Sequence, residues 1–231
     1  MAQVMHHYQH PAGGEGVGAY FDPLRGSIDY TFGQHAYQWD NMLASYGGIL
    51  GNTSQRDAVA RLMLECGAAV NMQYTSFGSA SFMYDIPYSM ATFLGYSHQL
   101  RYLSRDCVTD EEWIQTICHE LTNGRPVLFG AQNADGGHCF VADGIDENGL
   151  LHINWGWDGR YNGYYDVDLL FPAGMVSSGY TNNQEIVVGI TPREDDESIE
   201  LLRPLLCKGG VTCRNMTPTR NSSFSLPFFP N

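Results

Sequence analysis

Two short blocks of this sequence hold residues that could do chemistry together: Gly136-Gly137-His138-Cys139-Phe140-Val141 and His152-Ile153-Asn154-Trp155-Gly156-Trp157. An imidazole gives up and regains its proton near neutral pH, which makes His138 a candidate general base and acid. A carboxamide such as Asn154 can fix which ring nitrogen is protonated, and an indole such as Trp155 can keep water off that hydrogen bond. Between the blocks lies Ile145-Asp146-Glu147-Asn148-Gly149, a turn-forming segment flanked by strand-like runs at 138–144 and 150–157. Position 146 is midway between 138 and 154, so an antiparallel return predicts Asn154 opposite His138, within a residue or two. Gly136 and Gly137 let a substrate backbone approach closely. The glycine-rich, aromatic run 156–165 is expected to rim a cleft.

A histidine at the start of one strand with Asn-Trp on its partner is the arrangement that cysteine peptidases use. The blocks resemble the streptopain family of bacterial papain-fold cysteine peptidases, whose histidine block reads Gly-Gly-His-Ala-Phe-Val and whose second block reads Asn-Trp-Gly-Trp. Three further stretches agree: Tyr37-Gln38-Trp39-Asp40-Asn41-Met42, Cys66-Gly67-Ala68-Ala69-Val70-Asn71-Met72-Gln73-Tyr74, and Gly78-Ser79-Ala80. The similarity runs from Met1 to about Pro192, five blocks in the right order. The resemblance implies a catalytic pair of cysteine and His138, oriented by Asn154 and shielded by Trp155. It places Ser79 beside the substrate, where Gly137 would also lie and where Trp157 is either cleft wall or core, implies no cofactor, and suggests a propeptide or protein inhibitor as a further partner.

The family's nucleophile opens a helix reading Cys-Val-Ala-Thr-Ala-x-Ala-Gln-hydrophobic-Met. Met1-Ala2-Gln3-Val4-Met5 matches that helix from its second turn, so the resemblance puts the cysteine about five residues before Met1. Met1, Val4, Met5 and Tyr8 follow a helical spacing, without a Ser, Thr, Asp or Asn cap. The expectation is a peptidase domain truncated just after its nucleophile and inactive as written. Cys139 follows His138 directly and should point to the opposite face of the strand. Cys66 and Cys118 fall on apolar stripes of helices and read as core. Cys107 lies in a loop with no feature pairing it to His138.

Composition limits the alternatives. The chain has 231 residues, 12 basic against 25 acidic, and a formal charge of −13. Nothing offers a basic track for nucleic acid or an anionic membrane surface. No apolar run reaches transmembrane length, and the first residues do not form a signal peptide. For the complete protein the resemblance implies a secreted or cell-surface location. The six cysteines form no metal-type pair, although Cys207 and Cys213 could bridge. His6, His7 and His10 lack a suitable acidic or cysteine co-ligand, so no metal is expected and these residues read as solvent-facing.

Elements to position the site can be read from caps and periodicity. Residues 9–36 read as a long surface loop. A helix starts near Asn52, with Ser54 and Asp57 at capping-box spacing, and runs to Cys66, where Gly67 ends it. Another covers 87–94, and a third starts at Thr109 with Glu112 completing its cap and ends near Asn123. Strands follow at 126–131, 140–145, 150–155, 164–169 and 185–190. Helices first and strands second predict an α+β protein of papain-like fold, a helical lobe followed by an antiparallel sheet of consecutive hairpins. Residues 1–192 would form the peptidase domain. Residues 193–231 read as an acidic linker and tail, which could begin a further domain. Two other functions fit parts of the pattern: a non-catalytic module that grips peptides, and a carbohydrate-binding module using the aromatic run 155–165. The second leaves Gly-Gly-His unexplained.

Overall fold

A computed structural model describes residues 1–46, 51–76 and 78–194, with the backbone of Phe224–Ser225. The chain forms helix α1 (Ala2–Tyr8), strands β1 (Val17–Asp22) and β2 (Gly26–Thr31), helix α2 (Thr53–Ala69), strands β3 (Gln73–Thr75) and β4 (Gly78–Ala80), and helix α3 (Ile86–Phe93). Strand β5 (Arg101–Ser104) and helix α4 (Asp110–Thr122) follow. The rest is strands: β6 (Val127–Asn133), β7 (Gly136–Ile145), β8 (Leu151–Asn154), β9 (Gly163–Tyr165), β10 (Asn182–Val188) and β11 (Phe224–Ser225). The main sheet is ordered β5-β10-β6-β7-β8-β9, all antiparallel, and β11 runs parallel beside β7.

The sheet separates two apolar clusters, and strand periodicity assigns residues to each. On one face, Leu128, Val141 and Val187 pack against Val4 and Met5 of α1, Leu62 and Cys66 of α2, and Met90 of α3. On the other, Phe129, Phe140, Ile153, Trp155 and Ile186 pack with Trp113 and Ile117 of α4. His138, in step with Phe140 along β7, belongs to the aromatic side, whereas Cys139 packs against the helical cluster.

Several sequence expectations hold. The opening is helical with Val4 and Met5 buried, and Thr109 and Glu112 form a capping box at the start of α4. Others are corrected. Residues 9–36 are not all loop, because β1 and β2 form a hairpin whose turn is closed by the Asp22 carboxylate accepting from the Leu24 and Arg25 N–H groups at 2.8 Å. The cap of α2 is Asn52 with Gln55, not Ser54 with Asp57. Gly67 lies inside α2, which continues to Ala69. A side chain there would meet the Tyr74 hydroxyl, 2.0 Å from the position of a Cβ, so glycine makes room for a neighbour and does not end the helix. The strands do not follow as simple hairpins either. β10 inserts between β5 and β6, since Ile186, Val187 and Val188 are all fully buried and need neighbours on both edges and both faces.

The end of α4 is fastened to the chain after β10 by Glu120, which is 3% exposed. Its carboxylate accepts from the Arg125 guanidinium at 2.7 and 3.0 Å and from the Gly189 N–H at 3.0 Å. Burial alone would raise the carboxyl pKa. Arg125 and the Gly189 N–H outweigh it and hold the pKa below the ordinary 4.5. A depressed acid contributes stability that is present above its unfolded pKa and lost as pH falls through the folded one. Chemical denaturation should show stability declining below about pH 4.5. Glu120→Gln should weaken that decline and cost about 2 kcal/mol at neutral pH. An unchanged acid slope in the variant would contradict this assignment.

Candidate active site

His138 is 3% exposed, and its Nε2 lies 2.8 Å from the carbonyl oxygen of Trp155. A carbonyl oxygen only accepts, so Nε2 carries the proton and donates it. In the neutral ring the lone pair then belongs to Nδ1, the atom able to take a proton. The imidazole stacks on Trp157, centroids 4.7 Å apart and planes 20° from parallel, and lies 5.8 Å from Tyr180. An indole face at this distance favours a neighbouring cation.

The acceptor is held through the two peptide groups that flank the Trp155 Cα. The Gly156 N–H, in the same peptide unit as the Trp155 carbonyl, donates to Asn154 Oδ1 at 3.1 Å. The Trp155 N–H donates to Asn162 Oδ1 at 3.1 Å. Gly156 has φ of 77°, left-handed backbone that glycine adopts without strain. Trp155 is fully buried and packs on Phe140 and Tyr165. From the other lobe, Gln3 of α1 donates through Nε2 to Asn154 Oδ1 at 3.0 Å.

The register differs from the sequence expectation. Asn154 pairs with Val141, three positions beyond His138. The hairpin centres on Asn148 and not on Asp146, because Asp146 Oδ1 accepts from the Asn148 and Leu150 N–H groups and Gly149 takes φ of 83°. A register shift between Ala142 and Gly144 absorbs one more residue. The chain therefore leaves β8 at Asn154, and the backbone of the next residue reaches back to His138.

The remaining predicted residues fall near this centre. Gly137 and His138 pair with the extended backbone of Phe224–Ser225, and β4, the strand that carries Ser79, passes close to the same segment. An apolar cavity of about 160 Å³ opens beside the first turn of α1, lined by Met1, Gln3, Met83, Cys139 and Gly156 among others. Cys139 points away from His138 with Sγ 3.5 Å from Met83 Sδ, and Cys66 Sγ is 3.5 Å from Met5 Sδ. Burial raises the pKa of both thiols, that of Cys66 to about 11, so neither favours the thiolate. Cys118 is on α4, Cys107 is exposed in the turn before it, and Cys207 and Cys213 lie outside the described residues. His10 bonds the Gly95 carbonyl at 2.7 Å, and His6 sits edge-on to Trp39. Among the described residues no three or more His, Cys, Asp or Glu side chains gather as metal ligands.

Three contributors escaped the sequence. Asn162 and Tyr180 lie in aromatic and glycine-rich loops with no signal of their own. Gln3 had one, as a polar residue within an otherwise apolar helical opening that matches the family's Ala-Gln-hydrophobic-Met.

Comparisons with known proteins give the family and the fold. The family model described as the peptidase C10 family matches residues 1–165. The chain belongs to that family of cysteine peptidases. It is 33% identical over 204 residues to the thiol protease/hemagglutinin PrtT of Porphyromonas gingivalis, covering 85% of this chain and 23% of that protein. It is 28% identical over 204 residues to streptopain of Streptococcus pyogenes, covering 83% of this chain and 50% of that protein. The chain thus spans about a quarter to a half of these relatives' length. Active interpain A cysteine protease of Prevotella intermedia superposes with a TM-score of 0.72 at 36% identity, covering 80% of this chain and 78% of that one. A prointerpain A fragment from the same organism gives 0.72 at 37%, covering 84% and 62%. The fold is therefore papain-like, α+β with an antiparallel sheet. No helix among the described residues is long and apolar enough to cross a membrane.

The burial of the thiols makes a prediction. Among the described cysteines, iodoacetamide at neutral pH should label Cys107 first, reach the half-buried Cys139 more slowly, and leave Cys66 unmodified until the protein unfolds. Peptide mapping after timed alkylation would check this. Labelling of Cys66 in the folded protein as fast as that of Cys107 would overturn the account of Cys66 as inert core.

Proposed function

We propose that residues 1–192 form the peptidase domain of a cysteine endopeptidase in which His138 is the general base and acid. Trp155 supplies the carbonyl that fixes its tautomer, and Asn154 holds that carbonyl in place. The observation that carries this reading is the Nε2–H of His138 given to a backbone acceptor, which leaves Nδ1 as the basic atom. The nucleophile is a cysteine one helical turn and a little more ahead of Met1, a position this sequence does not include. Its thiolate is stabilised by the imidazolium and attacks the peptide carbonyl. His138 then protonates the leaving amine, and water hydrolyses the thioester. The oxyanion is held by the N–H of that cysteine and by a second donor preceding it.

The substrate is a peptide or protein, lying extended between β4 and the start of β7. The backbone of Phe224–Ser225 in that space supports a channel with room for one extended strand. Gly137, Ser79 and Trp157 form its walls. Residues 193–231 are a linker and tail that follow the peptidase domain, and the complete protein acts at the cell surface or beyond it. Of the aromatic run 155–165 on which the carbohydrate-binding alternative draws, Trp155 is fully buried, whereas Tyr161 and Tyr164 are exposed.

Extending the chain at its amino terminus by the family's helical turn, opening on cysteine, should produce hydrolysis of an unfolded protein substrate that alkylation blocks. The unextended chain should produce none. In the extended form His138→Ala should lower kcat/KM by roughly 10²–10⁴-fold, whereas Asn154→Ala should leave a reduced but measurable rate. Turnover by the unextended chain, or full activity in the His138 variant, would refute the assignment.

A further inference from the structure

We propose that Gln3 is a positioning residue: its side-chain N–H group sets which end of the Asn154 amide faces the Trp155–Gly156 peptide, and through that peptide it sets the tautomer of His138. The inference rests on the assignment of His138 as the base and adds a connection across the two lobes.

The two ends of an asparagine amide have nearly the same shape, so a single contact with the Gly156 N–H leaves the choice between them weakly determined. If Nδ2 replaced Oδ1 there, two donors would oppose each other and the Gly156 N–H would lose its acceptor. Gln3 Nε2 donates to the same Oδ1 that accepts from Gly156, at 3.0 Å against 3.1 Å. Two donors from different parts of the chain thus converge on one oxygen, and only the observed amide orientation satisfies both. The effect passes on because the Gly156 N–H and the Trp155 carbonyl share a peptide group. A peptide whose N–H is hydrogen-bonded is a better acceptor at its oxygen, and that oxygen receives the His138 proton at 2.8 Å. The bonds form a directed series: Gln3 to Asn154, Gly156 to Asn154, and His138 to Trp155. Its first member sits on α1, the helix that in the proposed mechanism continues from the nucleophile. The same helix then places the sulfur and prepares the base.

The test is the imidazole ¹⁵N spectrum of the existing chain with labelled histidine, recorded where the rings are neutral. In the unaltered protein His138 should be the Nε2–H tautomer. Gln3→Ala should raise the share of the Nδ1–H tautomer roughly five-fold, the change in an equilibrium that one net hydrogen bond makes. Gln3→Glu keeps the shape but removes the donor, and should do the same. Asn154→Asp in the Gln3→Ala background presents an acceptor from either end, and should restore the Nε2–H form. His152, whose Nδ1 lies 2.5 Å from Asp143, is the internal control and should not change. An unaltered His138 spectrum in both Gln3 variants overturns the inference while leaving the Trp155 carbonyl in its role. A shift in His138 and His152 together with a lowered melting temperature also overturns it, as general loosening. An Nδ1–H tautomer in the unaltered chain removes the Trp155 contact itself, and with it the reading on which the inference rests.

Discussion

One hydrogen bond decides what this site can do. An imidazole buried among aromatic rings must place its N–H on something, and here that something is a main-chain carbonyl. A carbonyl cannot donate, so the bond is informative in a way that a contact with a hydroxyl would not be. It assigns the proton to one nitrogen and basicity to the other. It also removes rotational freedom from the ring, which is further confined by stacking on Trp157.

Much of the surrounding architecture serves to keep that carbonyl still. β7 delivers His138 near its start, where β8 no longer pairs with it. The chain can leave the sheet after Asn154 because Gly156 tolerates left-handed backbone, and the departing loop is captured by Asn162 and Asn154. Beneath it, Trp155 fills the aromatic core between Phe140 and Tyr165, so the side chain anchors the same residue whose backbone does the orienting. The opposite parity along β7 sends Cys139 into the helical cluster, where burial suppresses ionisation of its thiol.

How much of this was legible beforehand depended on whether a feature was local. The caps of α4 and the amphipathic α1 were readable because spacing alone determines them. The blocks Gly136–Val141 and Asn154–Trp157 were readable because their residue types carry chemistry. What failed was non-local or a matter of two or three residues of register. Counting to the middle of the turn placed Asn154 opposite His138. The hairpin instead turns around Asn148, since the Asp146 side chain captures the N–H groups that follow it. That difference changes the chemistry, because it puts a backbone carbonyl where a carboxamide was expected and moves Asn154 one bond away. Gly67 read as a helix stop because its true reason, the Tyr74 hydroxyl, comes from outside the helix. The β1–β2 hairpin was hidden by its glycine- and proline-bearing surroundings, and the insertion of β10 between β5 and β6 by a separation in sequence that no local pattern encodes.

The two lobes meet at the imidazole: the sheet lobe supplies and orients it, and the helical lobe presents α1 to the same place. The account therefore requires that a thiol introduced ahead of α1 be ionised by His138. The most direct measurement is the pH dependence of that thiol's alkylation rate in an amino-terminally extended chain, with and without His138. The predicted result is a thiol pKa well below the ordinary value of about 8.5, returning towards it in His138→Ala. A thiol that titrates near its ordinary value in both proteins would contradict the account.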